Sequence, residues 1–202
     1  MKLYHGALSP FVRKVMASAI ELGVEDRLEK IPSPLSAIQP NAGVVAVNPI
    51  GKIPALELED GTPLYDSGVI IEYLDQLAGG DRLVPPVGPE RWRALRVNAL
   101  ADGLLEAGVS ARVETTRPEG MQWGVWIGAQ RAKVTQCLDR LEQEVASFAA
   151  TPTIGEIATG CALGWLDFRL PDVAWREGRP RLAAWYEGFA TRPSMTATAP
   201  KT

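Results

Sequence analysis

Histidine and cysteine are almost absent from this 202-residue chain: His5 stands alone, and Cys137 and Cys161 are the only thiols. One histidine excludes a multi-histidine zinc site within one chain and leaves no Ser-His-Asp triad in view. Two isolated cysteines without a C-x-x-C spacing argue against a disulfide framework or a thiolate metal site. No charge sign dominates: 21 Lys and Arg face 24 Asp and Glu, a net charge of −3, with no basic run. That leaves no electrostatic footprint for nucleic acid or anionic lipid. No apolar stretch approaches the ~18 residues of a membrane span. The opening MKLYHGALSPF lacks the long apolar core of a signal peptide, so the expected location is the cytoplasm.

What is present is an ordinary globular composition. Hydrophobic residues make up 46% of the chain, enough to bury a core. Nineteen glycines and sixteen prolines promise many turns without the excess that marks disorder. The length fits one large domain or two small ones. There is no internal repeat and no low-complexity tract. The pattern changes near residue 80, where Ala78 to Pro89 reads AGGDRLVPPVGP, a Gly/Pro-rich connection. The expected division is a first domain over 1–78, a linker over 79–88 and a second domain over 89–202.

In the first part, short strand-like runs at Lys2–Tyr4, Leu28–Ile31, Ala55–Leu58 and Pro63–Tyr65 alternate with helical patterns. Val12, Val15, Met16, Ala19 and Ile20 recur at helical spacing, and Gly23 ends that helix. Asp60-Gly61 is a hairpin turn signal. Val69, Ile70, Tyr73, Leu74 and Leu77 mark a second amphipathic helix. Residues 33–47 show no firm pattern beyond room for a short helix. The order predicts a small mixed sheet, with a parallel pair from the strand–helix–strand start and an antiparallel edge from the hairpin. The second part reads as helical almost throughout. Its helices run from Glu90 to about Val113, over Val134 to Phe148, over an uncharged segment between Glu156 and Asp167, and over about Arg179 to Ala190. Thr153-Ile154-Gly155-Glu156 is a capping box.

Three local patterns carry possible chemistry. Ser9-Pro10-Phe11-Val12-Arg13-Lys14-Val15 puts a hydroxyl just before a helix N-terminus, where N–H groups and the dipole favour an anion such as a thiolate. By itself, the pattern fits a plain N-cap equally well. In Asn48-Pro49-Ile50-Gly51-Lys52-Ile53-Pro54-Ala55-Leu56, a cis Ile53–Pro54 bond would leave the Ile53 backbone open to pair with an extended ligand. A simple turn before an edge strand is the alternative. Asp66-Ser67 opens a helix where free N–H groups and the Ser67 hydroxyl can hold a carboxylate and Asp66 an ammonium. Capping alone also explains that pair.

With these patterns in this order ahead of an all-helical second part, the sequence resembles a soluble glutathione S-transferase along essentially its whole length. It is most similar to bacterial members with Ser at the activating position. SPFVRKV, NPIGKIPAL, the Asp66-Ser67 pair and the TIGEIA capping box carry the resemblance. It implies a thioredoxin-like α/β N-terminal domain followed by an all-α helical bundle, with glutathione as co-substrate. Ser9 takes the place of the hydroxyl that stabilises the glutathione thiolate. Ile53 takes that of the residue whose backbone pairs with the cysteinyl part, with Pro54 as the cis-proline. Asp66 and Ser67 take those of the pair holding the γ-glutamyl end. Gln39, Asn41 and Lys52 are candidates for the glycyl carboxylate. Glu156 departs from the family pattern, which more often has Asp there.

The implied activity is glutathione transfer to a small, apolar electrophile. The same scaffold also serves glutathione-dependent reductases, dehalogenases, isomerases and non-catalytic binding proteins. Thiol–disulfide work normally needs a cysteine where this chain has Ser9. Cys137 and Cys161 read as small core hydrophobes, and His5 as a turn or surface residue. Trp123 and Trp126, near a helix start, are placed to wall an acceptor site. The resemblance also implies a homodimer. Two apolar stripes on the helix from Glu90 to Val113 favour it, with Arg91, Arg93 and Arg96 able to meet the partner's Glu57, Glu59 or Asp75.

Overall fold

The structure, a computed structural model, describes residues 1–200. The chain divides into two compact units: Met1–Arg91 with the C-terminal stretch from Pro193, and Trp92–Arg192.

The first unit runs β1 (Lys2–His5), α1 (Pro10–Leu22), β2 (Glu29–Pro32), α2 (Ala42–Val47), β3 (Ala55–Glu57), β4 (Pro63–Leu64) and α3 (Ser67–Leu77). The strands form one sheet in the order β2-β1-β3-β4. β1 and β2 are parallel, with Leu3 opposite Lys30. β3 is antiparallel to β1, with Tyr4 opposite Ala55, and antiparallel to β4, with Leu56 opposite Leu64. This is the mixed sheet that the spacing predicts. Leu3, Leu56, Val12, Val15, Ile70, Ile71 and Leu74 are buried in its core. The hairpin between β3 and β4 closes at Gly61, whose φ of 85° suits a residue without Cβ.

The 79–88 linker is tied to α3. Asp75, buried on α3, accepts the backbone N–H groups of Arg82 (3.2 Å), Leu83 (3.1 Å) and Val84 (3.0 Å). Leu83 and Val84 are buried as a result. The C-terminus departs from the expected division. α8 (Pro193–Ala197) lies with the first unit because Arg13 and Glu21 of α1 bond it. No periodicity in so short a segment announces such a contact.

The second unit contains most of α4 (Gly88–Glu114), then α5 (Gly124–Glu144), α6 (Ile154–Arg169) and α7 (Pro180–Phe189). Every residue of α6 from Ile154 to Leu166 is buried, as its lack of charge predicts. α6 approaches α4 closely at Gly155. A Cβ there would lie 2.8 Å from the Val97 Cβ and 2.9 Å from the Ala94 carbonyl oxygen. The helix is locked by the predicted capping box. Thr153 Oγ1 accepts from Gly155 N–H (3.3 Å), and Glu156 accepts from Thr153 N–H (2.8 Å) and from its hydroxyl. The extra methylene of Glu over Asp also lets this carboxylate take Ala149 N–H (3.1 Å) and Arg93 Nη1 (2.8 Å).

Three arginines of α4 have partners within the chain. Arg91 pairs with Glu72 at 2.7 Å, Arg93 with Glu156, and Arg96 with Glu144. Glu57 is taken by Lys2 (2.8 Å) and the Tyr4 hydroxyl (3.1 Å). Asp75, another acidic residue expected at a subunit interface, is buried.

Glu156 is the electrostatic centre of the second unit. Burial pushes its carboxyl up, but the Thr153 hydroxyl, Arg93 and two backbone N–H groups outweigh burial and hold it below 4.5. A depressed folded-state value means that the stabilisation is complete above the unfolded value and lost as pH falls through the folded one. Glu156→Ala should cost about 3–5 kcal/mol, because it leaves Arg93 without its buried partner. In urea titrations, that difference should shrink steadily as the pH is lowered below 4.5.

Candidate active site

The three sequence patterns meet at one end of the sheet. β1 leads into the Ser9 turn at its C-terminal end. Tyr4 on that end pairs with Ala55, the first residue of β3, immediately after Ile53–Pro54. β4 runs antiparallel to β3, so its C-terminal end at Leu64 leads to Asp66 and Ser67 beside the same end of β3. Two helix N-termini, of α1 and α3, thus open at the place where the backbone of Ile53 emerges. Unpaired helix N–H groups favour negative charge there.

Ser9 has extended backbone (φ −78°, ψ 121°) and caps α1: its Oγ accepts from Val12 N–H at 3.3 Å, and Pro10 follows in the first turn. An oxygen that accepts from the helix keeps its own O–H free to donate outward. Ser9 N–H bonds Gly6 O at 3.0 Å, closing the turn after β1. Gly6 sits against Ile53: a Cβ there would fall 2.6 Å from Ile53 Cδ1. The turn bearing the hydroxyl and the strand lead-in are therefore in contact.

Ile53–Pro54 is cis, as is Tyr65–Asp66. Asn48, buried, organises the run into Ile53. Its Nδ2 donates to Lys52 O (2.8 Å), its Oδ1 accepts from Ile50 N–H (3.1 Å), and its carbonyl accepts from Gly51 N–H (2.8 Å). Gly51 occupies the left-handed region at φ 71°. Among the described residues, the N–H and C=O of Ile53 make no backbone hydrogen bond. The sequence motif contains Asn48, but its role is visible only in these contacts.

Asp66 is exposed and caps α3, its Oδ1 accepting from Gly68 N–H at 2.8 Å. One carboxylate oxygen is left for a ligand. Ser67 is buried in the first turn beside it. Of the three candidates for the glycyl end, Asn41 is committed to capping α2. Its Oδ1 accepts from Gly43 and Val44, and its Nδ2 donates to Pro34 O. Gln39 and Lys52 are exposed, and among the described residues their side chains make no hydrogen bond or ion pair. His5 is half-buried, and burial, reinforced by Lys30, holds it below 6.5, so it stays neutral at neutral pH. Burial raises the Cys137 thiol, which keeps it protonated and inert.

In the second unit, a groove of about 590 Å³ is lined by Val109, Val113, Arg117, Met121, Trp123 and Trp126. Met121 and Trp123 are largely exposed. Glu114 ties the groove's loop to α4, accepting Trp123 N–H (3.1 Å) and Arg117 Nε (2.7 Å). That backbone donor is the main reason that its carboxyl lies below the ordinary 4.5. Among the described residues, no cluster of His, Cys, Asp and Glu could hold a metal ion. No helix there is long and apolar enough to cross a membrane.

A four-stranded mixed sheet with this helix order, followed by an all-helical unit, is the thioredoxin-like N-terminal and helical C-terminal arrangement. Residues 8–77 match the glutathione S-transferase N-terminal domain family, and residues 117–188 match its C-terminal domain. The uncharacterized GST-like protein YibF of Escherichia coli (strain K12) is 32% identical over 204 residues, covering 99% of this chain and 98% of that one. A glutathione transferase family member from Pseudomonas fluorescens Pf-5, solved with bound glutathione, is 46% identical, with a TM-score of 0.96 over 100% of this chain and 99% of that one. A glutathione S-transferase from Methylobacillus flagellatus KT, solved with GSH bound, is 36% identical, with a TM-score of 0.89 over 99% of both chains. The chain belongs to the glutathione S-transferase family.

As the N-cap of α1, Ser9 also contributes to stability. Ser9→Ala removes the acceptor of Val12 N–H and should cost about 1 kcal/mol in urea unfolding, whereas Ser9→Thr should cost a few tenths.

Proposed function

We propose that this protein is a glutathione transferase that holds glutathione as a thiolate for attack on a small, apolar electrophile. The observation that supports this most is the convergence of Ser9, Ile53 and Asp66–Ser67 on one sheet end, set by the β1–β3–β4 register. Glutathione is an extended tripeptide with a cationic and anionic γ-glutamyl end, a central thiol and a glycyl carboxylate. Asp66 takes the ammonium, while Ser67 and the α3 N–H groups take the adjoining carboxylate. The free N–H and C=O of Ile53, with Pro54 behind it, pair with the cysteinyl backbone. Lys52 or Gln39 meets the glycyl carboxylate.

The Ser9 hydroxyl donates to the thiol sulfur and favours its charged form, aided by the dipole of α1. Each unit by which the thiol pKa falls corresponds to ~1.36 kcal/mol. The thiol proton leaves to solvent; the sulfur lone pair forms the bond to the electrophilic carbon, and the leaving group departs with its bonding electrons. The family relatives crystallised with glutathione lend further support.

The protein is also proposed to act as a homodimer in the cytoplasm. Trp92, near the start of α4, is 66% exposed, and an exposed tryptophan there is available to a partner subunit.

Titration calorimetry with glutathione and a conjugation assay over a panel of apolar electrophiles test the reading, and no affinity at millimolar glutathione overturns it. Asp66→Ala should weaken glutathione binding by about 1.5–3 kcal/mol. Ser9→Ala should raise the pKa of the bound thiol and slow conjugation near neutral pH while leaving affinity nearly unchanged. Light scattering should give twice the mass of one 21.8 kDa chain; a single-chain mass at micromolar concentration rejects the dimer.

A further inference from the structure

α1 is buried almost all round: ten of its residues, among them Arg13, Lys14 and Ser18, are removed from solvent. Arg13 is only 8% exposed, yet among the described residues it pairs with no carboxylate. Its Nη2 donates to Met195 O at 3.1 Å and its Nε to Thr198 Oγ1 at 3.4 Å; Nη1 is buried without a partner among the described residues. Thr198 in turn donates to Ser194 O at 2.7 Å, and Ser194 donates to Glu21 in the last turns of α1. The C-terminal helix α8 is thus fastened to α1 near both ends. Burying a guanidinium against neutral acceptors is costly, and an apolar side chain of similar volume would fill the place at lower cost. What the fork adds is directional: its planar N–H groups fix one register between two segments.

That register bears on Ser9. Residues i and i+4 of a helix share one face, and side chains lean toward the N-terminus. Arg13 is four residues beyond Ser9, and Arg13 N–H closes the first helical bond to Ser9 O at 3.0 Å. The turn that aims the Ser9 hydroxyl is therefore the turn whose last residue is clamped from the chain's far end. We propose that Arg13, held by Met195 and Thr198, is a positioning residue for Ser9, making the C-terminal segment part of the thiol site's support. This rests on the glutathione-thiolate reading above.

The test compares the intact wild-type protein with Arg13→Met, Thr198→Val, Ser9→Ala and the Arg13→Met/Ser9→Ala double variant. Glutathione affinity is read by calorimetry, the pKa of bound thiol by ultraviolet thiolate absorbance against pH, and stability by urea unfolding. Arg13→Met should raise the bound-thiol pKa by about one unit and change affinity less than about threefold. Thr198→Val, which removes a neutral hydroxyl and is the variant to rely on if Arg13→Met does not fold, should raise it by a smaller amount. Adding Arg13→Met to Ser9→Ala should give no further rise, because both act through one hydroxyl. An unmoved thiol pKa in Arg13→Met and Thr198→Val, with or without lost stability, overturns the inference while leaving the functional reading intact. Additive shifts in the double variant also overturn it, by showing that Arg13 acts through its own charge. A wild-type protein that binds no glutathione overturns both.

Discussion

The antiparallel register of β3 between β1 and β4 is the constraint on which the candidate site depends. Tyr4 opposite Ala55 and Leu56 opposite Leu64 bring the end of β1, the start of β3 and the end of β4 to the same edge. The chain leaves that edge twice into helices and enters it once through Ile53–Pro54. Because side chains alternate along a strand, a one-residue slip would turn Leu3 and Leu56, both fully buried, out of the core. The hydrophobic pattern that stabilises the sheet therefore also fixes where Ser9, Ile53 and Asp66 stand relative to one another.

Each of these residues also has a local structural duty. Ser9 and Asp66 cap α1 and α3, and Asn41 caps α2 through its Oδ1 while its Nδ2 donates to Pro34 O. A cap satisfies a helix N–H with one lone pair and leaves a donor or a second oxygen directed away from the helix. For Ser9 and Asp66, capping and ligand binding are compatible uses of one side chain. Asn41 is tied to α2 and Pro34 by both amide groups, whereas Lys52 and Gln39 are exposed and better placed for a carboxylate.

Buried charge organises both units in different ways. In the second unit, Glu156 collects four donors and joins α4 to the start of α6, an arrangement that tolerates burial because every donor is aimed at one carboxylate. In the first, Asp75 gathers three backbone N–H groups, and Arg13 takes hold of a carbonyl and a hydroxyl of the C-terminal stretch. These contacts pin segments without hydrophobic periodicity of their own: the 79–88 connection and the short helix α8.

Much of the fold was legible in the sequence where a local rule is strong. Short strand-like runs marked the strands, and period-3.6 patterns marked α1, α3 and the helices of the second unit. Gly23, Asp60-Gly61 and the Thr153–Glu156 box marked ends and turns, because φ above zero and helix-end N–H groups accept few residue types. The Ser9, Ile53–Pro54 and Asp66–Ser67 patterns were visible as motifs, each with an equally local explanation. Tertiary structure alone decided that they share one sheet end. It also decided that Arg91, Arg93 and Arg96 find partners within the chain, and that residues after Arg192 return to α1. The physical reason is separation along the chain. Capping, turn and periodicity signals act over a few residues. The partners of Arg13 lie more than 180 residues away, and only the register of strands and the packing of helices can bring such groups within hydrogen-bonding reach.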